Sequence, residues 1–459
     1  MKIRTLAPLA LAAVLAAACG CTPPPPPAGP SVPPTSSPAE SDPPPVVEGA
    51  VTQQTVNGVS ILVKRVPGAE LAAMQLYIRG GARNWNASNA GVEQLALSVA
   101  TTGGTQRLDK DAFARKLTQL GSDLDATSGN DVALIAAKAL TPRFDETFGL
   151  MVEAFLTPAL PLAELDLQRQ QMLSNLRHEE ESPDARLRVM THKQVFKGHP
   201  YENRAVGTVA SVEKLGLEQV RAHLAELRQA RRLLLVIVGD VEASQIADLV
   251  RMKFAALPSG SWKETPLPPV AFAKSAVETV SAPLPTNYVQ GVFTVPGWRD
   301  PDFFAAMVGM EHLGHRVFEE VRTKRNLSYA PQASLRWSTA VPLGTLYVTA
   351  IDPDTTMKVM FEEVKKLKAQ FLSPKDLAAA KSTFLTGHLA STESTDAQAA
   401  WLGYAQLHHG DWRFEPNLLD RVKKVTSEQV QAFANKHIQH LQFVVLGKTA
   451  VDATLLGSL

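Results

Sequence analysis

Two segments of the 459-residue chain repeat one another over the length of a domain. Residues 212–220 read VEKLGLEQV and residues 422–430 read VKKVTSEQV, and each is followed by a β-branched run ending in glycine, at Gly239 and Gly447. This self-similarity indicates a duplicated domain, because solenoid repeats recur at periods of only about 20–50 residues. The sequence therefore predicts two copies of one plan, at residues 49–260 and 277–459, joined by a proline-rich linker at 261–276.

Each copy mixes strands and helices without regular alternation. In the first copy, residues 54–65 predict a hairpin with Asn57 and Gly58 at its turn. Its other expected elements are strands at 72–78 and 131–140, a helix from about residue 89 and a helix at 162–181. In the second copy, strands are expected at 288–295, 327–335 and 345–351, and helices at 302–325, 355–371 and 374–389. We therefore expect an α+β fold in which helices pack on each mixed sheet.

The start of the chain differs in composition from the rest. A basic start and an apolar run over residues 6–18, too short to span a bilayer, are typical of a secretion signal. Residues 15–19 read LAAAC and resemble a bacterial lipoprotein signal, in which Cys19 would become the lipidated N-terminus. Cys21 is the alternative lipidation site, and a simple cleaved signal is the alternative to lipidation.

We therefore assign residues 1–18 to a signal peptide and residues 19–48 to the lipidated cysteine and a tether rich in proline and serine. Such a tether fits a globular body held at a membrane, and we expect the outer membrane facing the periplasm. The body itself contains no cysteine, so it can form neither a disulfide nor a thiolate metal site. The net charge of +1 gives no reason to expect a nucleic-acid partner.

Residues 322–329, RTKRNLSY, read as the end of a helix, a turn and the start of a strand. Asn326 suits a left-handed position just after the helix. Arg322 and Tyr329 could then face one site from two elements. Arginine offers a fork of donors to a carboxylate or carbonyl, and a tyrosine hydroxyl can donate to a peptide oxygen or a developing oxyanion. On spacing alone, a solvated arginine and a half-buried tyrosine would account for the same pattern.

RTKRNLSY resembles the R-x-K-R-G-L-x-Y segment in the C-terminal domain of M16 (pitrilysin/insulinase-type) zinc peptidases. The resemblance covers residues from about 50 to 459 and implies two homologous M16-type α/β domains in a clam-like arrangement. In that family the arginine and tyrosine hold peptide against the zinc site of a different domain. The resemblance therefore implies substrate-binding roles for Arg322 and Tyr329.

The zinc helix of active M16 peptidases reads G-x-x-H-x-x-E-H, with two zinc-binding histidines and a glutamate that activates water. The resemblance places Gln94, Leu97 and Ser98 at these three positions. The family's third ligand, a glutamate on a later helix, corresponds to Asn175, in a register supported by the H-P-Y at residues 199–201. Neutral Gln, Ser and Asn side chains lack the charge and basicity that a tetrahedral zinc site requires.

The chain therefore carries the family's Arg/Tyr segment and lacks its zinc ligands and general base. Some bacterial members of the family divide these two sets between two chains. We expect a non-catalytic subunit, inactive alone and without a cofactor of its own, that closes the peptide chamber. Its partner would be a zinc-bearing M16 subunit with an intact H-x-x-E-H, to whose bound peptide Arg322 and Tyr329 would contribute.

Two other functions fit the sequence. The main alternative is a non-proteolytic peptide-binding or envelope scaffold protein with the same fold. The other is an independent hydrolase with a metal site outside the family pattern, for which Glu311, His312 and His315 are the candidates. We expect Gly314 to interrupt that helix, and no second ligand-rich segment accompanies it.

Overall fold

The structure, a computed structural model, describes residues 43–337, 339–448 and 451–456. The predicted signal peptide, Cys19, Cys21 and the predicted tether up to residue 42 lie outside the described residues. The last part of the tether assignment differs from the structure, because Val46 already pairs with Gln53 in a strand. The first sheet therefore begins before residue 49, where the sequence placed the start of the domain.

The first copy is built on a seven-stranded sheet. Its strands are β1 (Val46–Glu48), β2 (Val51–Val56), β3 (Val59–Arg65), β4 (Leu71–Arg79), β5 (Leu124–Ser128), β6 (Val132–Leu140) and β7 (Leu233–Gly239). They lie in the order β1-β2-β3-β7-β4-β6-β5, and β3 and β7 run parallel. The predicted hairpin is β2–β3, in which Asn57 (φ 50°) and Gly58 (φ 78°) supply the two left-handed residues of its tight turn.

The helices of the first copy pack on this sheet. They are α1 (Val92–Thr102), α2 (Lys110–Gln119), α3 (Phe144–Leu156), α4 (Leu162–Glu181), α5 (Pro183–Val195), α6 (Val209–Val212), α7 (Leu217–Leu227) and α8 (Ala243–Lys253). Helix α1 lies deep in the molecule, since its apolar residues contribute to the main core of the first copy. Its partly exposed positions are Gln94, Ser98 and Thr102, which recur every four residues along one line of the helix.

The second copy has a five-stranded sheet with helices packed against it. Its strands are β8 (Ala276–Ser281), β9 (Asn287–Thr294), β10 (Gln332–Arg336), β11 (Leu343–Ala350) and β12 (Gln442–Gly447). Its helices are α9 (Phe303–Phe318), α10 (Pro353–Ala369), α11 (Pro374–Ser391), α12 (Thr395–Tyr404), α13 (Phe414–Lys424), α14 (Ser427–His437) and α15 (Ala453–Leu456). The strand order β8-β12-β9-β11-β10 reproduces β3-β7-β4-β6-β5, including the parallel first pair, so the two domains share one topology.

The repeated sequence motif forms the same local structure in both copies. In α7 and α14, Gln219 and Gln429 each accept a hydrogen bond from the backbone N–H three residues earlier, at 3.1 and 2.9 Å. Each helix is followed by a fully buried strand, β7 or β12. The repeat therefore encodes a capped helix and the central strand that it precedes.

One helix from each copy packs against the sheet of the other copy. Leu187 of α5, in the first copy, packs with Val444 and Leu446 of β12 in the second sheet. Leu402 of α12, in the second copy, packs with Tyr77 of β4 in the first sheet. Each domain thus buries one face of the other domain's sheet. This packing fixes the position of residues 322–329, which follow α9, relative to the first sheet.

The structure corrects the strand predicted at residues 327–335. Strand β10 begins only at Gln332, and Tyr329 lies on the loop before it. Helix α9 continues into a π-helical turn, Glu319–Thr323, and Asn326 adopts the expected left-handed conformation with φ 51°. The Leu327 N–H then donates to the Val321 carbonyl at 2.9 Å, so the chain closes back on the helix end before it can enter the sheet.

Candidate functional site

Gln94 occupies the first zinc-ligand position of the family and binds the edge of the first sheet. Its Oε1 accepts a hydrogen bond from the Ser128 N–H at 2.9 Å, and its Nε2 donates to the Ala126 carbonyl at 3.1 Å. Strand β5, which contains both partners, is the last strand of that sheet. The amide thus supplies one acceptor and one donor to an edge that an added strand would otherwise use.

The other positions of the family's zinc site also have different surroundings. Ser98 lies 3.1 Å from Gln94, as an acceptor for the same Nε2. Leu97 is fully buried in the core of the first copy. Asn175, on α4, accepts a hydrogen bond from Gln171 at 3.0 Å in an exposed position. These four residues do not surround one point as metal ligands would. Gln94 and Ser98 take part in the contact with the sheet, Leu97 belongs to the core, and Asn175 pairs with another amide at the surface.

The histidine-containing segment of the second copy lines a small cavity of about 130 Å³. Glu311, His312, His315 and Asp376 all contribute to its wall. Burial lowers the pKa of His312, and burial raises the pKa of Glu311, so both groups favour their neutral forms there. Within the described ranges, no group of three or more His, Cys, Asp or Glu side chains could hold a metal ion.

Sequence reasoning missed a buried polar cluster behind the zinc-helix position. Glu93 is fully buried and accepts a hydrogen bond from the Ser128 hydroxyl at 2.9 Å. Its other oxygen lies 3.0 Å from Nε2 of His223 on α7. The cluster ties α1 to β5 and α7. The available signal was an acidic residue within the apolar start of α1, since buried carboxylates require partners.

A second missed cluster lies at the boundary between the copies. Asp131 accepts hydrogen bonds from the Tyr201 hydroxyl at 2.5 Å, from Arg83 at 3.3 Å and from the Ala340 N–H at 3.0 Å. Burial and the adjacent Asp131 carboxylate raise the pKa of Tyr201, which remains a neutral donor. The tyrosine of the H-P-Y segment therefore helps to join the first copy to the loop between β10 and β11.

Arg322 and Tyr329 lie in direct contact. The guanidinium carbon of Arg322 is 3.7 Å from the centroid of the Tyr329 ring, and Nη1 donates to the Tyr329 carbonyl at 2.8 Å. The Phe318 ring centroid lies 5.9 Å from the same carbon. The arginine thus lies within cation–π distance of two aromatic rings.

The polar ends of this pair are open to a ligand. Tyr329 is 78% exposed, and its hydroxyl has no hydrogen-bond partner in the described part of the chain. The remaining N–H groups of Arg322 likewise meet no acceptor among those residues. The pair can therefore donate to a peptide oxygen or carboxylate without first breaking an internal hydrogen bond.

A buried carboxylate anchors the turn that carries Arg322. Glu320 is 5% exposed and accepts hydrogen bonds from Lys324 at 2.7 Å, Arg325 at 2.5 Å and Arg316 at 2.6 Å. Hydrogen bonds from Lys324 and Arg325 lower the pKa of Glu320 to about 2. The charges next to Arg322 are thus already paired, while Arg322 itself has no ionic partner among the described residues.

No helix in the described part of the chain is both long and apolar enough to cross a membrane.

Family models match both copies. The model of the insulinase family, peptidase family M16, matches residues 60–209, and the model of the peptidase M16 inactive domain matches residues 214–384. Together the two ranges cover more than half of the sequence. This chain belongs to the M16 peptidase family.

The names of similar proteins include both a zinc protease and a non-peptidase homolog. The chain is 22% identical over 417 residues to the uncharacterized zinc protease ML0855 of Mycobacterium leprae, with 87% of this chain and 92% of that protein covered. It is 23% identical over 417 residues to the non-peptidase homolog YmxG of Helicobacter pylori, with 88% and 95% covered. The name of a relative therefore does not decide whether this chain cleaves peptides.

A solved structure shows the same fold. The crystal structure of a peptidase M16 inactive domain from Pseudomonas fluorescens superposes with a TM-score of 0.79 and 21% sequence identity. The match covers 88% of this chain and 99% of that one. This confirms the expected fold of two M16-type α/β domains with mixed sheets.

Proposed function

We propose that this chain is the non-catalytic subunit of a two-chain M16-type zinc peptidase. It closes one side of the peptide chamber and presents Arg322 and Tyr329 to a peptide bound at the zinc of its partner. The partner carries the intact H-x-x-E-H motif, and the peptide bond is cleaved there. In this function the only metal is the partner's zinc, and this chain contributes substrate positioning.

The contrast between two places in the molecule carries this proposal. At the family's zinc position, Gln94 is bonded to a sheet edge and Leu97 is buried in the core. At the family's peptide-binding position, Arg322 and Tyr329 are in contact and their polar groups are accessible. A chain that keeps the second set and lacks the first is suited to serve a site on another chain.

The sheet edge supports placing the substrate strand on the partner. Extended peptides commonly bind by adding a strand to an exposed edge. In this chain the β5 edge already has the Ala126 carbonyl and the Ser128 N–H engaged by Gln94. A peptide added there would have to displace both bonds, whereas the partner has a histidine in place of this amide.

The proposed location is the cell envelope, at the outer membrane facing the periplasm. Lipidation at Cys19, or alternatively at Cys21, would anchor the chain, and the proline-rich segment would space the two domains from the bilayer. Two or three acyl chains on one cysteine would hold it firmly, since a single chain binds a membrane only marginally.

The alternative is a non-proteolytic peptide-binding or scaffold protein of the envelope. One relative of similar length is named a non-peptidase homolog, which is the observation in favour of this function. The two functions differ in one requirement, because a scaffold needs no zinc-bearing partner.

Co-expression with a zinc-bearing M16 chain encoded next to this one tests the proposal. We expect the two chains to copurify and to cleave a mixed peptide library at a rate that neither chain reaches alone. A partner that cleaves equally well without this chain would contradict the subunit function. Absence of any neighbouring H-x-x-E-H chain, with peptide binding retained, would favour the scaffold.

A further inference from the structure

A cavity of about 470 Å³ lies where the first copy, the linker and the second copy meet. Its wall contains Arg79 and Arg83 from the first copy, Glu264 from the linker and Arg299 from the second copy. This volume is within the range of about 300–1,000 Å³ that is typical of small-molecule sites. Neither the zinc-site positions nor the Arg/Tyr pair lines this cavity, so it is a separate place in the fold.

Arg79, at the end of β4, has the least compensated charge in this cavity. Among the described residues, no atom accepts a hydrogen bond from its guanidinium, and its Nε is fully buried. Burial lowers the pKa of Arg79, and the Glu264 carboxylate opposes this effect. Arginine nevertheless stays charged in proteins, so a partly buried guanidinium without an acceptor is costly, and a bound anion would relieve that cost.

The other charged groups in the wall leave one positive charge without a counterpart. Arg83 is paired with Asp131 at 3.3 Å and with Glu264 at 2.5 Å, yet its buried Nε has no acceptor within the described ranges. Arg299, which is exposed and donates to the His409 carbonyl at 2.9 Å, contributes a third guanidinium. Three arginines face two carboxylates, so a single negative charge would balance the cavity.

We propose that this cavity is a binding site for a carboxylate group, with Arg79 as its principal donor. The planar fork of a guanidinium matches a carboxylate in a two-bond contact. A phosphate dianion fits less well, because its second charge would be repelled by Asp131 and Glu264. The proposal rests on the proposed function in one respect, namely that the carboxylate belongs to a peptide, at its C-terminus or on an acidic side chain.

The test is calorimetric titration of the full chain, without a partner, with three N-acetylated tripeptides. The first is acetyl-Ala-Ala-Leu with a free C-terminal carboxylate, and the second is the same peptide with a C-terminal amide. The third, acetyl-Ala-Glu-Ala amide, carries its carboxylate only on a side chain. We expect the amide to bind about 10- to 100-fold more weakly than the free acid, as for the loss of a charge-assisted contact.

Substitutions at Arg79 show whether this cavity is responsible. Arg79→Gln should remove the preference for the free acid, and Arg79→Lys should retain part of it because the charge remains without the fork. Arg221→Gln is the matched control, since this arginine lies exposed on α7 with only a 3.8 Å contact to Glu218. Thermal unfolding of each variant shows whether the fold is intact, and the wild-type comparison of acid with amide requires no variant.

The outcomes separate clearly. Tight binding of the free acid alone supports the site with a peptide C-terminus as its ligand, and equally tight binding of the glutamate peptide supports it with side-chain carboxylates as ligands. Equal affinity for acid and amide, no binding of any peptide, or an unchanged preference in Arg79→Gln would overturn it. Because no partner subunit is present, failure here leaves the role of Arg322 and Tyr329 in the assembled peptidase to be judged by its own assay.

Discussion

The guanidinium of Arg322 lies against the face of the Tyr329 ring at 3.7 Å and also donates to the Tyr329 carbonyl at 2.8 Å. One residue therefore fixes both the ring and the backbone of the other, although Tyr329 lies on a loop and is mostly exposed. Such preorganisation reduces the entropy that must be lost when a ligand binds. It also means that the two residues will not act independently.

Substitution of this pair should reduce peptide cleavage by the assembled two-chain enzyme. Removal of a donor to a developing oxyanion typically costs on the order of 2–4 kcal/mol, or roughly a 30- to 1,000-fold loss in rate. We expect losses of this order in kcat/KM for Arg322→Ala and for Tyr329→Phe. The double variant should lose less than the product of the two effects, because the residues are in contact.

Assembly and zinc content are measured in parallel with these rates. Neither substitution should change them, since Tyr329 is exposed and Arg322 is partly exposed in this chain. Lys375→Ala, at an exposed position on α11, serves as the matched control and should leave the rate unchanged. Full activity of the double variant would exclude a role for the pair in cleavage.

Restoration of the family's zinc ligands should not restore a zinc site. Replacement of Gln94, Leu97, Ser98 and Asn175 by His, Glu, His and Glu places a carboxylate at the fully buried Leu97 position. An unpaired charge there costs on the order of 3 kcal/mol or more. We expect the variant to unfold at lower urea concentration than the wild type and to retain no stoichiometric zinc after dialysis.

Ser98→His alone is the control for this experiment, since Ser98 is partly exposed and should tolerate the change. Elemental analysis and urea unfolding with and without zinc give the readout. A variant that binds one zinc and recovers wild-type stability would show that a carboxylate at position 97 can be accommodated as part of a metal site. Zinc retained by the wild type, and lost on substitution of His312 and His315, would support an independent metal site.

Much of the fold follows from local patterns. The end of α4 could be read from the sequence because the Ser182-Pro183 pair stops one helix and starts the next, and Ser182 then caps α5. The duplication predicted two equivalent domains before any strand pairing was known. The start of β10 could not be read in this way, because alternation over only Leu327 and Tyr329 is too short to distinguish a strand from a closing turn.

The candidate site was less accessible to sequence reasoning. Its positions were found by resemblance, but the contact of Gln94 with β5 depends on which strand ends the sheet, and that is set by long-range pairing. The pairing of Glu93 with His223 joins residues 130 positions apart on two helices. No local period encodes such a contact. The charge balance of the cavity around Arg79 likewise emerges only when both copies and the linker are packed together.

Lipid anchoring predicts a change of cell fraction. Replacement of both Cys19 and Cys21 by serine should release the protein from the membrane fraction into the soluble periplasmic fraction. Replacement of only one of the two shows which cysteine is used. Metabolic labelling with palmitate is the measurement, and a wild-type chain that incorporates no label would contradict the anchor.

The ionic cluster at Glu320 predicts a specific dependence of stability on pH. Hydrogen bonds from Lys324 and Arg325 lower the pKa of Glu320 to about 2 in the folded chain, below its ordinary value of 4.5. The charged carboxylate therefore stabilises the fold fully above the unfolded-state pKa. Its contribution is lost as the pH falls through the folded-state pKa. At neutral pH a shift of this size corresponds to about 3 kcal/mol.

Comparison of wild type with Glu320→Gln by urea unfolding isolates this contribution. We expect the variant to be less stable by about 2–3 kcal/mol at neutral pH, and we expect the difference to fall below half of that value near pH ~3. Glu393→Gln, at an exposed position, is the control and should show no such trend. Because Glu320 anchors the turn that carries Arg322, the same variant should also weaken peptide cleavage by the assembled enzyme. A stability difference that stays constant from neutral to acidic pH would show that the carboxylate charge is not what holds this turn.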